Sequence, residues 1–249
     1  MKKLTAAILL DLQRTLRNRQ YLIFSLIFPV GFYILYTRLY SAGSSFGRTN
    51  WAAYYMVSMS TFGAVAMMLN ATGSRVAAER KTGWPVYLAA NPLTPLRYVV
   101  AKVVVALLTT LVGIAVVFVV AIGLNHVSLP LSMWLAIGVE IWLGSIPFAA
   151  IGLFLAYAMG PSSIGFGVSI VYLAGSFLGG LWIPLRVLPV SLKDIARILP
   201  TYHEASMAWT TLQGGPFDWI HPLVLGSYAI GFGALAVWLF VHQKGFGHD

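Results

Sequence analysis

The chain has 249 residues, of which 59% are hydrophobic, 9% are charged and none is cysteine. Soluble domains carry about a quarter charged residues, and a soluble fold of this length has too much surface to hide so much apolar area. The composition therefore excludes an ordinary soluble domain, and the lack of cysteine excludes disulfides, thiolate metal sites and thiol redox chemistry. A formal net charge of +9 would suit nucleic acid, but the basic residues sit in short segments between apolar runs. Anionic lipid and membrane topology account for that placement, and no nucleic-acid partner is expected.

Residues 1–19 place Leu4, Ile8, Leu12 and Leu16 at four-residue spacing with charges elsewhere. This pattern predicts an amphipathic helix lying in the membrane interface. It does not read as a cleaved leader, because the apolar stretch stops at Leu10 and Asp11, Arg14, Arg17 and Arg19 follow without a small-residue cleavage site. Six runs near the length of a bilayer crossing follow, over residues 21–40, 52–72, 99–124, 131–159, 164–183 and 219–242. The third and fourth are long enough to tilt or to project beyond the bilayer. The expected fold is an all-α membrane protein, one transmembrane domain over residues 1–249 with six spans.

Between the fifth and sixth spans, residues 184–218 are too polar to cross. They nevertheless carry Leu188, Leu192, Ile195, Leu199 and Trp209, cut into short pieces by Pro184, Pro189, Pro200 and Pro216. The segment reads as short re-entrant helices dipping back toward the membrane, tolerable where protein buries the irregular backbone; an ordinary external loop is the alternative. One side of the six-span plan collects Lys2, Lys3, Arg14, Arg17, Arg19, Arg75, Arg80, Lys81, Arg97, Lys102 and Lys244. The other collects Arg38, Arg48, Arg186, Lys193 and Arg197. The positive-inside rule then puts both termini in the cytoplasm.

The most informative stretch lies in the loop expected over residues 73–97. It reads Glu79-Arg80-Lys81-Thr82-Gly83-Trp84-Pro85-Val86-Tyr87-Leu88, then Asn91-Pro92-Leu93-Thr94-Pro95, with Tyr98 and Lys102 beyond. Physically this is a short amphipathic helix with a charged end, a Pro-bounded turn and re-entry into lipid, with Arg97 and Lys102 placed to snorkel to the headgroups. Composition alone gives only a basic cytoplasmic loop. The order Glu-Arg, Gly, Leu, Pro-Leu, Tyr, Lys resembles the coupling-helix region of the ABC type-2 exporter permeases, including the drug-resistance transport subunits. The wider plan of interfacial helix, six spans, coupling loop after span two and external re-entrant helices resembles that family as well. Pro85 inside the coupling helix departs from the family pattern and leaves the helix boundary open.

The resemblance implies a permease of the bacterial cytoplasmic (inner) membrane that moves a hydrophobic or amphipathic compound (drug, antibiotic or lipid-like) outward. It implies a second permease copy, or a related permease, beside it. It also implies a separate ATPase subunit, which binds the ATP and Mg and is contacted through Glu79, Arg80, Gly83 and Leu88. The chain has no GxxxxGK[ST] phosphate-binding loop, so it is not expected to be an enzyme by itself. The other class considered is an ATP-independent channel or secondary transporter. Such transporters often show inverted repeats and more intramembrane charge, and neither is apparent.

Glu140 is the one acid well inside an expected span. A charge there costs at least about 2.5–3.5 kcal/mol on the insertion scale. It reads either as a contact for a cationic cargo or a proton-linked step, or as a structural hydrogen bond. Met56, Met59 and Phe62 recur at three-residue spacing on span two and, with Glu140 and Phe166, are candidates for the substrate path, because Met suits an adaptable apolar surface; core packing is the plainer reading. Gly165, Ser169, Gly175 and Gly179 allow close helix approach on span five, within the chain or between copies. His126, His203 and His221 read as solvated loop residues, and no HExxH or GxSxG motif occurs.

Overall fold

The structure is a computed structural model, and it describes residues 2–40, 43–81, 95–160 and 162–243. Among these the chain is helical apart from short connections and one two-stranded hairpin. The helices in chain order are α1 (Lys2–Arg17), α2 (Arg19–Leu39), α3 (Trp51–Leu69), α4 (Arg75–Lys81), α5 (Pro95–Asn125) and α6 (Leu131–Gly144). They continue with α7 (Ile146–Ala158), α8 (Ile164–Leu178), α9 (Val190–Ala196), α10 (Pro200–Leu212) and α11 (Ile220–Gln243). The hairpin pairs β1 (Ser45–Phe46) with β2 (Thr49–Asn50), antiparallel, around Gly47 at φ 65°.

Four helical stretches are long and apolar enough to cross a membrane: Trp51–Lys81, Leu96–Asn125, Leu131–Ala158 and Ile220–His242. Ser25–Leu39 and Ile164–Leu178 are shorter apolar helices. All six lie within or close to the apolar runs of the sequence. Leu111, Val112, Val119 and Ile122 on α5 are exposed, as are Ile230, Val237 and Trp238 on α11. An apolar belt of this kind is stable against lipid and not against water.

α3 is the axis of the bundle. Every residue from Ala52 to Leu69 is buried, enclosed by α2, α5, α7 and α10. Its first turn is capped by Asn50, whose Oδ1 accepts from the Ala53 amide at 2.8 Å. Within it Ser58 Oγ donates to the Tyr54 carbonyl at 3.1 Å.

Residues 73–81, expected as loop, are helix. A single π turn over Asn70–Ser74 carries α3 directly into α4. The cause is visible at Gly73 and Gly152, where α7 crosses backbone to backbone. A Cβ on Gly152 would sit 3.0 Å from the Gly73 amide nitrogen and collide with Thr72 Oγ1, so only glycine fits. The fourth expected span is likewise two helices. Gly144 ends α6, and Ser145 Oγ donates to the Trp142 carbonyl at 2.7 Å. Pro147 then stands in the first turn of α7, where its missing N–H costs nothing.

The segment 184–218 forms a 3₁₀ turn (Leu185–Val187), α9 and α10. α10 is packed inside the bundle against α3, α6, α8 and α11, with Thr201, His203, Glu204, Ala205, Ala208 and Leu212 buried. The small residues of α8 divide by face. Gly175 and Gly179 admit α10, whose Thr201 Oγ1 donates to the Gly175 carbonyl at 2.6 Å. Gly165 and Ser169 are exposed on the outer face.

Candidate functional site

The polar residues of the chain concentrate where α4 ends, immediately before residues 82–94. Four helices contribute. Asp11 of α1 receives Arg75 Nη2 of α4 at 3.1 Å and Lys102 Nζ of α5 at 2.5 Å, both on Oδ1. Lys102 also reaches Glu79 Oε1 at 2.6 Å, and Tyr98 donates its phenol to Glu79 Oε2. Arg75 Nη1 donates to Thr15 Oγ1 at 2.5 Å, and Thr15 in turn donates to the Asp11 carbonyl at 2.8 Å. Arg80 donates to the Ala156 carbonyl at the end of α7 and lies 4.8 Å from the Tyr157 ring centroid.

Lys102 is 3% exposed. The expectation that it snorkels to the headgroups is therefore corrected: two carboxylates inside the bundle attract it more strongly than the interface does, since an ion pair gains strength as water is excluded. The inward face of α1 is also different from the one expected. Asp11 and Thr15 are buried and Leu16 is exposed, so the stripe is Leu4, Ile8, Asp11, Thr15 at spacings of four, three and four. That regular stripe, with an acid set in it, was the available signal.

Glu79 and Arg80 thus have partners within the chain. Gly83 and Leu88 lie outside the described residues. Among the described residues the arrangement includes no cluster that could hold a metal ion. It is a joint: Asp11 and Glu79 hold α1, α4 and α5 together, and Arg80 fastens α4 to α7. A partner removed from such a buried network costs about 3–5 kcal/mol, because a charge is left uncompensated.

The substrate-path candidates do not converge. Met56, Met59 and Phe62 belong to the closed core around α3, with Phe62 stacked on Tyr172 at 4.4 Å. Phe166 is 70% exposed on the outer face of α8. Glu140 Oε1 accepts from Thr211 Oγ1 of α10 at 2.7 Å, while Oε2 has no partner among the described residues.

A second acid, Glu204, is 0% exposed, and neither of its oxygens has a hydrogen-bond partner among the described residues. It packs on α6 at Gly144, where a Cβ would come within 3.0 Å of Glu204 Cγ. Burial pushes its carboxyl well above the usual carboxylate range. Its place in a polar segment expected to be external concealed it, and Glu140 is not the only deeply placed acid. His203 and His221 also depart from expectation. Both are buried, with their Nδ1 atoms 2.8 Å apart, and His203 Nε2 donates to the Arg197 carbonyl at 2.8 Å.

Several long apolar helices packed in one bundle mark the chain as a multi-pass membrane protein. The chain belongs to the ABC-2 type transporter family, whose model matches residues 3–209. It is 29% identical over 235 residues to the protein named as a transport permease, YvfS, of Bacillus subtilis (strain 168), covering 94% of this chain and 95% of that one. It is 31% identical over 184 residues to the inner membrane transport permease YhhJ of Escherichia coli (strain K12). That match covers 71% of this chain and 48% of YhhJ, so the chain spans about half of YhhJ.

Proposed function

We propose that this chain is the membrane-spanning permease of an ATP-driven exporter in the cytoplasmic membrane, working with a separate ATPase subunit that binds ATP and Mg. Its cargo is a hydrophobic or amphipathic compound, and a second copy or a related permease completes the assembly across the outer face of α8. The chain crosses six times, with both termini cytoplasmic and α9 and α10 re-entrant on the external side. The observation that carries the reading is the buried joint of Asp11, Arg75, Glu79, Arg80, Tyr98 and Lys102 at the root of residues 82–94. A push delivered to that segment by an ATPase reaches α1, α4, α5 and α7 together, because these helices share charges and cannot slide apart cheaply. Gly83 and Leu88 make the ATPase contact in this reading, and Glu79 and Arg80 brace it from within.

Co-expression with an ABC ATPase subunit from the same genome tests the proposal. The ATPase co-purifies, and vesicles containing both accumulate an amphipathic dye only with ATP. Leu88→Asp weakens the association without reducing membrane insertion. Transport or ion conduction by the chain alone, with no nucleotide, would overturn it in favour of a channel or secondary transporter. Tags at residues 1 and 249 are accessible from the cytoplasm, and tags near Ser45 and Asp194 from outside.

A further inference from the structure

At the end of α3 opposite the ionic joint, the hairpin loop, the 3₁₀ turn and α10 line an open cavity of about 670 Å³. This is within the range of small-molecule sites. One wall is aromatic: Tyr54 of α3 and Trp209 of α10 stack with centroids 5.1 Å apart and planes 12° from parallel. The rim is cationic, with Arg48 and Arg186 both lining the cavity, and no Asp or Glu is among its lining residues. The Arg186 guanidinium lies over the Phe46 ring, 3.8 Å from its centroid. Neither arginine has an ion-pair partner among the described residues. Ser206, Thr210 and Gln213 add neutral hydrogen-bonding groups from α10.

The placement of these two arginines on one concave surface indicates what the cavity takes. Arg75 is paired with Asp11, and Arg197 lies 3.5 Å from Asp194. Two unpaired guanidiniums on one concave surface raise the local positive potential, and the planar fork of arginine matches carboxylate and phosphate oxygens. The flat rings beside them offer apolar area to whatever carries the anion. We propose that this cavity binds an amphiphile that joins one anionic group, phosphate or carboxylate, to an aromatic or alkyl body. The anion lies between Arg48 and Arg186 and the body against Tyr54 and Trp209. The proposal rests on the exporter reading only for the direction the cavity faces. In that reading it faces outward and holds cargo, or an anionic lipid headgroup, on the release side.

The test uses the full chain in nanodiscs of zwitterionic phosphatidylcholine, without the ATPase. Dansylglycine is an anionic aromatic probe and dansylamide its neutral counterpart; binding is read by energy transfer from tryptophan. Wild type binds dansylglycine at least about tenfold more tightly than dansylamide, a difference of about 1.4 kcal/mol. R48Q/R186Q loses that preference, and R48K/R186K retains part of it. Both side chains are exposed, and gel filtration and circular dichroism check that each variant folds. Equal affinity for the two probes in wild type, or a preference that survives R48Q/R186Q, would overturn the proposal. Doping with phosphatidylglycerol separates the sources. Displacement of dansylglycine identifies a lipid headgroup as the occupant, and undiminished binding identifies a free amphiphile. Because no ATPase is present, failure here leaves the permease reading standing, and failure of the ATPase to co-purify leaves the cavity result intact.

Discussion

The two places where this chain buries acids are built on opposite plans. At the joint, Asp11 and Glu79 are surrounded by Arg75, Lys102 and Tyr98, drawn from different helices. Between α6 and α10, Glu204 has no partner among the described residues, and Glu140 has a single hydroxyl. The first arrangement is ionic and ties helices together. At Glu204 the second avoids charge, because a fully buried acid without a cation is cheaper protonated than ionised. Burial alone therefore says little about an acid; the residues facing it decide whether it is a clamp or a neutral filler.

The largest expected effect breaks the clamp. Lys102→Met removes the cation that Asp11 and Glu79 share and lowers stability by about 3–5 kcal/mol. Thermal unfolding followed by size exclusion in detergent measures it, and Lys102→Arg recovers part of the loss. Next is the backbone crossing that positions the clamp. Gly152→Ala forces a methyl group against Thr72 and Gly73 and costs about 1–3 kcal/mol. Gly165→Ala has nothing within 4 Å to meet and leaves the unfolding midpoint of the single chain unchanged.

The neutral acids sharpen the contrast from the other side. Glu204→Leu replaces a carboxyl that makes no hydrogen bond by an apolar group of similar size. Stability stays within about 1 kcal/mol of wild type or rises, since no partner is left unsatisfied. A loss comparable to that of Lys102→Met would show that Glu204 has a cation after all. The smallest effect is that of pH at His203. Burial, its largest cause, lowers the pKa of this imidazole below the usual value of 6.5; the Arg197 carbonyl and Asp218 oppose the shift. The unfolded chain then takes up a proton more readily than the folded one. The stabilisation is complete above the unfolded value and is lost as pH falls through the folded value. Amide protection factors in α10, the ratio of intrinsic to observed exchange rate, accordingly fall as pH drops below about 6.5, and His203→Gln flattens that dependence.

Much of the fold was legible because lipid-facing helices announce themselves in composition. Each apolar run contains an apolar helix, and α1 follows from its periodicity. Helix ends were harder. The continuation of α3 into α4 depends on the absence of side chains at Gly73 and Gly152, residues 79 positions apart in sequence. The joint itself was only half visible. Glu79 and Arg80 stood out by resemblance, whereas Asp11 and Lys102 meet across 91 residues. Local rules sent Lys102 toward the headgroups because they register the nearest solvent and not the carboxylate on another helix. Glu204, His203 and His221 were hidden for a related reason. A polar segment reads as solvated until the structure places it inside a bundle.

The π turn at Asn70–Ser74 also sets phase. A π turn accommodates one residue more than regular helical winding, and each residue advances a helix by about 100°. Upstream of it α3 is sealed on every side. Downstream, the added rotation brings Arg75 and Glu79 round to α1 and α5. Forcing residues 70–74 to wind regularly, with no residue removed, would carry both side chains about 100° away from Asp11 and Lys102. The grip between the axis of the bundle and its flanking helices is thus stored as one residue of register, and can be undone without altering any of the charges that make it.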